Sequence, residues 1–179
     1  FSAFWDTGST WDARWINNVT YNLKNGISLD RSYNNEVRNN IAYEDDKSMY
    51  NQNDTYGLMV KETTVNGFHP WHGIYTKGGG FHIFRNNLWY SARKSNYVRY
   101  MDPSQPAITV DAFNAQIGSK TELAEDPLFE NVDEYDFSLK AGSPAIGTGD
   151  GGVNRGAYAV YPKTDVGYNE NLKLTEDVN

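Results

Sequence analysis

The chain has 179 residues, a formal net charge of −7 and an isoelectric point near 4.9. That length holds one domain with a real core, and the acidic balance argues against nucleic-acid binding, which calls for a basic face. No stretch approaches the roughly 20 apolar residues of a membrane span, and three histidines without any cysteine argue against a structural zinc site.

In chain order, the first signal is Ile16-Asn17-Asn18-Val19-Thr20-Tyr21, two asparagines followed by an apolar residue, a spacer and a tyrosine. The same sentence returns at Arg38-Asn39-Asn40-Ile41-Ala42-Tyr43 and at Arg85-Asn86-Asn87-Leu88-Trp89-Tyr90. The spacings are 39 − 17 = 22 and 86 − 39 = 47, the second close to two units of 23 or 24. A fixed period in this range marks a solenoid. Leucine is scarce and helical periodicity is missing, while the segments are short, β-branched or aromatic, and bounded by Gly and Asn. The expected architecture is a parallel β-helix, whose units pair strand on strand about 4.8 Å apart and stack apolar residues into one core. Asparagine tolerates the left-handed conformation at corners and can bond its equivalent in the next unit. Asn39 and Asn86, and with them Asn17, are therefore expected to be structural corners joined in an amide ladder.

A short apolar run led by glycine opens at Gly26, Gly57 and Gly73. Aligning the three puts Ile27, Leu58 and Ile74 inward, with Leu29, Val60 and Thr76, and turns Ser28, Met59 and Tyr75 outward. On this alignment the Gly57 run belongs to a unit lying between those of Asn39 and Asn86. Residues 44–55 are expected as a polar loop. A short helix is expected over 109–117, with Gly118 as its stop.

The closing stretch carries Asp126-Pro127-Leu128-Phe129, Asp136-Phe137-Ser138-Leu139, Gly142-Ser143-Pro144-Ala145-Ile146 and Gly156-Ala157-Tyr158. It resembles the end of secreted right-handed parallel β-helix proteins of the pectate-lyase-like superfamily, over about residues 25–160. The fold class expected is all-β, a right-handed parallel β-helix solenoid with a C-terminal cap and one short helix. Residues 1–160 would form the coils and cap, as the C-terminal part of a longer solenoid with further N-terminal coils, and 161–179 an exit strand or linker. The resemblance implies a secreted or cell-surface protein whose partner is a polysaccharide or oligosaccharide.

It also implies a groove on an outward charged column. The alignment supplies Asp30, Lys61 and Lys77 there, followed by Arg31 and Glu62. In uronate lyases of this fold a Lys or Arg removes the proton α to the sugar carboxylate, while cations or Ca²⁺ neutralise that carboxylate. Lys61 or Lys77 would be the base, with Arg31, Arg85 or Arg93 on carboxylates. Glu44, Asp45 and Asp46 offer the oxygen ligands that Ca²⁺ prefers. A retaining glycoside hydrolase is the alternative, with Asp30 and Glu62 as carboxylates roughly 5 Å apart. Trp71, Tyr75, Trp89 and Tyr90 offer flat faces and polar tips to sugar rings, with core packing as the alternative for Trp89 and Tyr90, and His69 and His72 would bind sugar or act as acid or base. A non-catalytic glycan-binding or adhesion solenoid is the third reading. The two lysines in the column favour elimination.

Overall fold

The computed structural model describes residues 2–7, 12–30, 32, 34–61, 68–69, 73–74, 82–100 and 106–156. Expectations on other residues, the tail 161–179 included, lie outside them. The described chain is mostly strand, with three parallel sheets and one α-helix. Its strands are β1 (Ser2–Thr7), β2 (Arg14–Ile16), β3 (Val19–Tyr21), β4 (Asn25–Asp30), β5 (Glu36–Arg38), β6 (Ile41–Glu44) and β7 (Tyr56–Lys61). There follow β8 (Phe68–His69), β9 (Gly73–Ile74), β10 (Ile83–Arg85), β11 (Leu88–Ser91) and β12 (Val98–Arg99), then the helix α1 (Val110–Ile117), β13 (Phe129–Asn131) and β14 (Asp136–Leu139).

The repeated Asn-Asn pair explains the corners. It separates β2 from β3, β5 from β6 and β10 from β11. The first member, Asn17, Asn39 or Asn86, has φ 56° each time. This left-handed conformation costs most L-residues roughly 1–2 kcal/mol and asparagine less. Strands of three or four residues flanking such a bend turn the chain from one sheet into the next.

The parallel sheets run in the orders β1-β4-β7-β12, β2-β5-β10 and β3-β6-β11. Arg38 lies opposite Ile16 on one side and Arg85 on the other, and Ile41 lies between Val19 and Leu88. The units of Asn39 and Asn86 are therefore direct neighbours. No unit lies between them, and the 47-residue spacing spans a single step of the sheet. Gly57 opens the same unit that Asn86 continues.

Two of the three glycine runs align as expected. Ile27 pairs with Leu58, Leu29 with Val60 and Asp30 with Lys61. A side chain at Gly26 is ruled out by packing, because a Cβ there would sit 2.6 Å from the Gly57 carbonyl oxygen and 2.9 Å from Ala42 Cβ. The third run does not align. Gly73–Ile74 pairs antiparallel with Phe68–His69, and the strand beside β7 is β12, with Val98 opposite Leu58. The reason is length: 73 − 57 = 16 residues, short of the 22 that separate the closest rungs of the other sheets, cannot pass through two further sheets and return.

Ile27, Leu29, Val37, Leu58, Val60, Phe84, Trp89 and Val98 fill one core among the three sheets. Burying each large apolar side chain contributes about 1.5–3 kcal/mol. The helix α1 closes one end with Val110 and Phe113. Thr109 caps it by accepting from the Ala112 N–H, and Gly118, φ 66°, stops it, close to the expected span.

The segment 126–156 differs from the expected cap. Phe129, Leu139 and Ala145 form a second core with Ile41 and Leu88, flanked by Val19, Tyr43, Tyr90 and Phe137. The segment thus lies along the outer face of β3-β6-β11, across all three units, and α1 closes the stack instead. Under it the tyrosines of that sheet stack as a column, Tyr21 on Tyr43 at 5.8 Å and Tyr43 on Tyr90 at 5.6 Å. Gly156 seals the contact. Its N–H donates to the Asn39 carbonyl at 2.6 Å, and at φ 86° any Cβ would meet Ile41 Cδ1 at 2.9 Å.

The amide ladder exists, but its rungs are the second asparagines. Asn18 donates its N–H and Nδ2 to Asn40 Oδ1 at 3.0 and 2.9 Å, and Asn40 does the same to Asn87 Oδ1 at 2.9 Å twice. Asn87 in turn donates its N–H and Nδ2 to the carboxylate of Glu122. The first asparagines bend the chain and fasten the closing segment: Asn39 Oδ1 accepts from the Asp150 N–H at 2.8 Å, and Asn86 Nδ2 donates to the Thr148 carbonyl at 2.8 Å. One residue supplies the backbone geometry and its neighbour the hydrogen bonds, because a side chain at a corner cannot also point inward along the stack.

Candidate functional site

Of the expected charged column, the sheet brings together Asp30 and Lys61. They end β4 and β7 in direct register, and Thr7 of β1 lies on the other side of Asp30. Adjacent strands place such neighbours about 4.8 Å apart. The placement of Lys77 in this column rested on the Gly73 alignment, which fails, and Lys77 lies outside the described residues. So do Arg31, Glu62, Trp71, His72 and Tyr75. Asp30 has Lys61 as its direct strand neighbour, as the alignment expected, while Glu62, the second carboxylate of the retaining-pair reading, lies outside the described residues. His69 ends β8, with its backbone opposite Gly73.

The groove is also less open than strand alternation suggests. Ser28 and Met59 were expected outward and are 1% and 5% exposed. Serine and methionine can be buried without a charge penalty, so the sequence carries no warning that this face is covered.

Arg85 does not lie beside Asp30. It belongs to β10, in the second sheet, where its Nη2 is 3.5 Å from Glu36 Oε1 and its Nη1 4.0 Å from Asp150 Oδ2. Arg93 is committed elsewhere. It pairs with Glu44 and donates to the carbonyls of Ser48 and Tyr50 at 3.3 and 2.9 Å.

Glu44, Asp45 and Asp46 do not converge as a Ca²⁺ site. Glu44 is fully buried and accepts from Ser91 Oγ at 2.6 Å and from Arg93. Asp45 accepts from the Tyr21 hydroxyl at 2.5 Å, Asn22 Nδ2 at 2.7 Å and the Lys47 N–H at 2.9 Å. Burial pushes the Asp45 carboxyl up, but these hydrogen bonds and the Lys47 charge outweigh it and hold the group below its ordinary value. Asp46 is exposed. Successive residues leaving a strand point in different directions, and among the described residues no three acidic or histidine side chains gather for a metal.

Trp89 offers no sugar platform. It is 1% exposed and donates its Nε1–H to Glu122 Oε2 at 2.7 Å. Tyr90 is half-buried in the tyrosine column.

Two features escaped sequence reasoning. The first is Glu122, 2% exposed, where the ladder, Trp89 and the closing segment meet. Burial raises its carboxyl to about 7, against the pull of the Asn87 and Trp89 donors and the nearby charge of Arg155. "KTEL" gives no hint of this, since a glutamate after a lysine and a threonine reads as surface. The second is an open cleft of about 500 Å³ lined in part by Ser91, Arg93, Lys94, Thr109 and Asp111. The Lys94 ammonium donates to the carbonyls of Gln52, at 2.5 Å, and Thr55, and lies 4.6 Å from the centre of the Tyr56 ring. Desolvation lowers its pKa from the usual lysine value. Its contacts tie the 45–55 excursion down, so its role is internal.

Comparison with known families, curated proteins and solved structures returns no match to this chain.

Proposed function

We propose that this chain is a right-handed parallel β-helix of a secreted or cell-surface carbohydrate-active protein, which binds and cleaves an acidic polysaccharide by uronate elimination. Three parallel sheets linked through repeated two-residue corners, with a shared core, support the solenoid. The hand follows the strong preference of parallel crossovers. The observation that carries the reaction is the register of Lys61 against Asp30 at the ends of adjacent strands. From there the chain leads into the stretch holding His69, Trp71, His72, Tyr75 and Lys77.

In elimination the Lys61 amine takes the proton α to the uronate carboxylate. The freed electron pair forms the ring double bond, and the glycosidic bond on the neighbouring carbon breaks, its oxygen taking a proton from water and leaving as a hydroxyl. Asp30 is the strand neighbour of Lys61, and in this reading its carboxylate balances the charge that the amine gains on taking the proton. Hydrolysis by an Asp30–Glu62 pair is the second reading, and the products distinguish the two.

The test is incubation with polygalacturonate, alginate and a neutral glucan, following ultraviolet absorbance of unsaturated uronate products. Absorbance growth that Lys61→Ala abolishes supports the proposal. New reducing ends without absorbance favour hydrolysis. Binding without either product favours a non-catalytic glycan-binding solenoid.

A further inference from the structure

The outer surface of the second sheet gathers three guanidinium groups. In the register of that sheet Arg14 is opposite Glu36, while Arg38 and Arg85 are direct neighbours in the adjoining column. Glu36 faces all three arginines, with Arg14 Nε at 3.6 Å, Arg38 Nε at 3.4 Å and Arg85 Nη2 at 3.5 Å. A second carboxylate arrives from far along the chain: Asp150 Oδ2 lies 2.6 Å from Arg38 Nη1 and 4.0 Å from Arg85 Nη1. Three cations thus share two anions on one flat face of a chain whose overall charge is −7. Arg85 has the loosest contacts of the inner pair, and its side chain is 41% exposed.

We propose that Arg38 and Arg85 form a binding site for the carboxylates of an acidic polysaccharide, and that Asp150 occupies this site as an internal competitor. Parallel strands set the two guanidinium forks side by side, the arrangement that suits planar carboxylates. The Asp150 backbone is anchored independently of its side chain, through its N–H to Asn39 Oδ1 at 2.8 Å. Its carboxylate can therefore swing out by a side-chain rotation while the closing segment stays in place. The Arg38 and Asp150 side chains are 28% and 34% exposed, and a partly solvated ion pair contributes little, so a competing carboxylate can displace it. A free monosaccharide carboxylate still competes poorly against a tethered one, whose effective concentration is millimolar. A polymer presenting many carboxylates overcomes that, so the site selects chain over monomer. The surface is distinct from the Asp30–Lys61 pair, which lies in another sheet. The choice of ligand rests on the polysaccharide reading above, and the test reads binding rather than turnover.

The experiment is titration of the whole chain with polygalacturonate, galacturonic acid, dextran sulfate and neutral dextran, by affinity electrophoresis and calorimetry. Asp150→Asn is expected to tighten polygalacturonate binding about threefold. Arg85→Ala and Arg85→Lys are each expected to weaken it about tenfold, with melting temperatures close to that of the parent chain. Binding that Asp150→Asn leaves unchanged or weakens, in a variant that melts normally, overturns the proposal. So does tighter binding of dextran sulfate than of polygalacturonate. Should Arg85 and Asp150 variants shift binding as stated while no sugar is cleaved, this site stands and the cleavage reading fails. Cleavage with binding indifferent to both residues has the opposite meaning.

Discussion

Asn40 and Asn87 stand 47 positions apart in the chain, yet both N–H donors of Asn40, backbone and side-chain, end on one oxygen of Asn87 at 2.9 Å. Both residues are essentially buried, at 1% and 0% exposure. The contact joins two units through polar groups inside the stack, where an unmade bond costs most.

The ladder residue should therefore outweigh its corner neighbour. Asn87→Ala is expected to cost about 3 kcal/mol or more, since it strands the Asn40 donors and frees Glu122 of a partner. Asn86→Ala is expected to cost about 1–2 kcal/mol, for the left-handed backbone and one lost bond to Thr148. Urea melts of the two variants check the order, and an equal loss would reject the division of labour between the asparagines.

Glu122 should make stability depend on pH. In the unfolded chain it titrates near 4.5 and in the folded chain near 7. Between those values the folded state holds a proton that the unfolded state has lost, so stability falls as pH rises through this window. The contribution is fully present below pH 4.5 and amounts to roughly 3 kcal/mol. Glu122→Gln should remove that slope, which melts at several pH values will show as a difference between the two proteins that changes with pH.

Gly156→Ala is expected to loosen the closing segment, because the new Cβ meets Ile41 and Val19 and the backbone sits at φ 86°. The loss should be about 2 kcal/mol. Faster proteolytic cutting within 126–156, with the three parallel sheets intact by circular dichroism, is the expected readout.

On the proposed elimination, Lys61→Ala is expected to lower the rate by at least about 10²-fold, the usual range for losing a general base. Asp30→Asn is expected to lower it less, because in that reaction the strand neighbour of Lys61 has no part in the proton transfer itself.

The repeat was legible because it is written in residue types that have few other uses. Paired asparagines at a 22-residue interval imply a left-handed corner and a stacked neighbour, and both are present. The alignment of Gly26 with Gly57 was legible for a similar reason, since close backbone approach excludes any side chain. Gly73 misled because a two-residue match, Gly-Ile, contains no information about which strand it meets. The candidate site was harder to see. Arg85, Arg93, Glu44 and Asp45 read as free charges, and each finds a partner brought near only by the turns of the chain, such as Asp150 for Arg85. Glu122 and Trp89 were invisible as a pair because their contact depends on where α1 returns the chain to the stack.

The ladder also gives the stack a direction. Each asparagine rung sends its backbone N–H and a side-chain N–H to the next rung, Asn18 to Asn40, Asn40 to Asn87 and Asn87 to Glu122, and Asn40 and Asn87 accept from the rung before. Asparagine has both an acceptor and donors, so it can pass the pattern on; the Glu122 carboxylate has acceptors alone and takes the donors of Asn87 and Trp89 together. It acts as a stop sign in a one-way reading frame. A further 22-residue block could be spliced in upstream of it at any rung, whereas putting asparagine in its place would leave a set of donors asking for a unit that α1 does not supply.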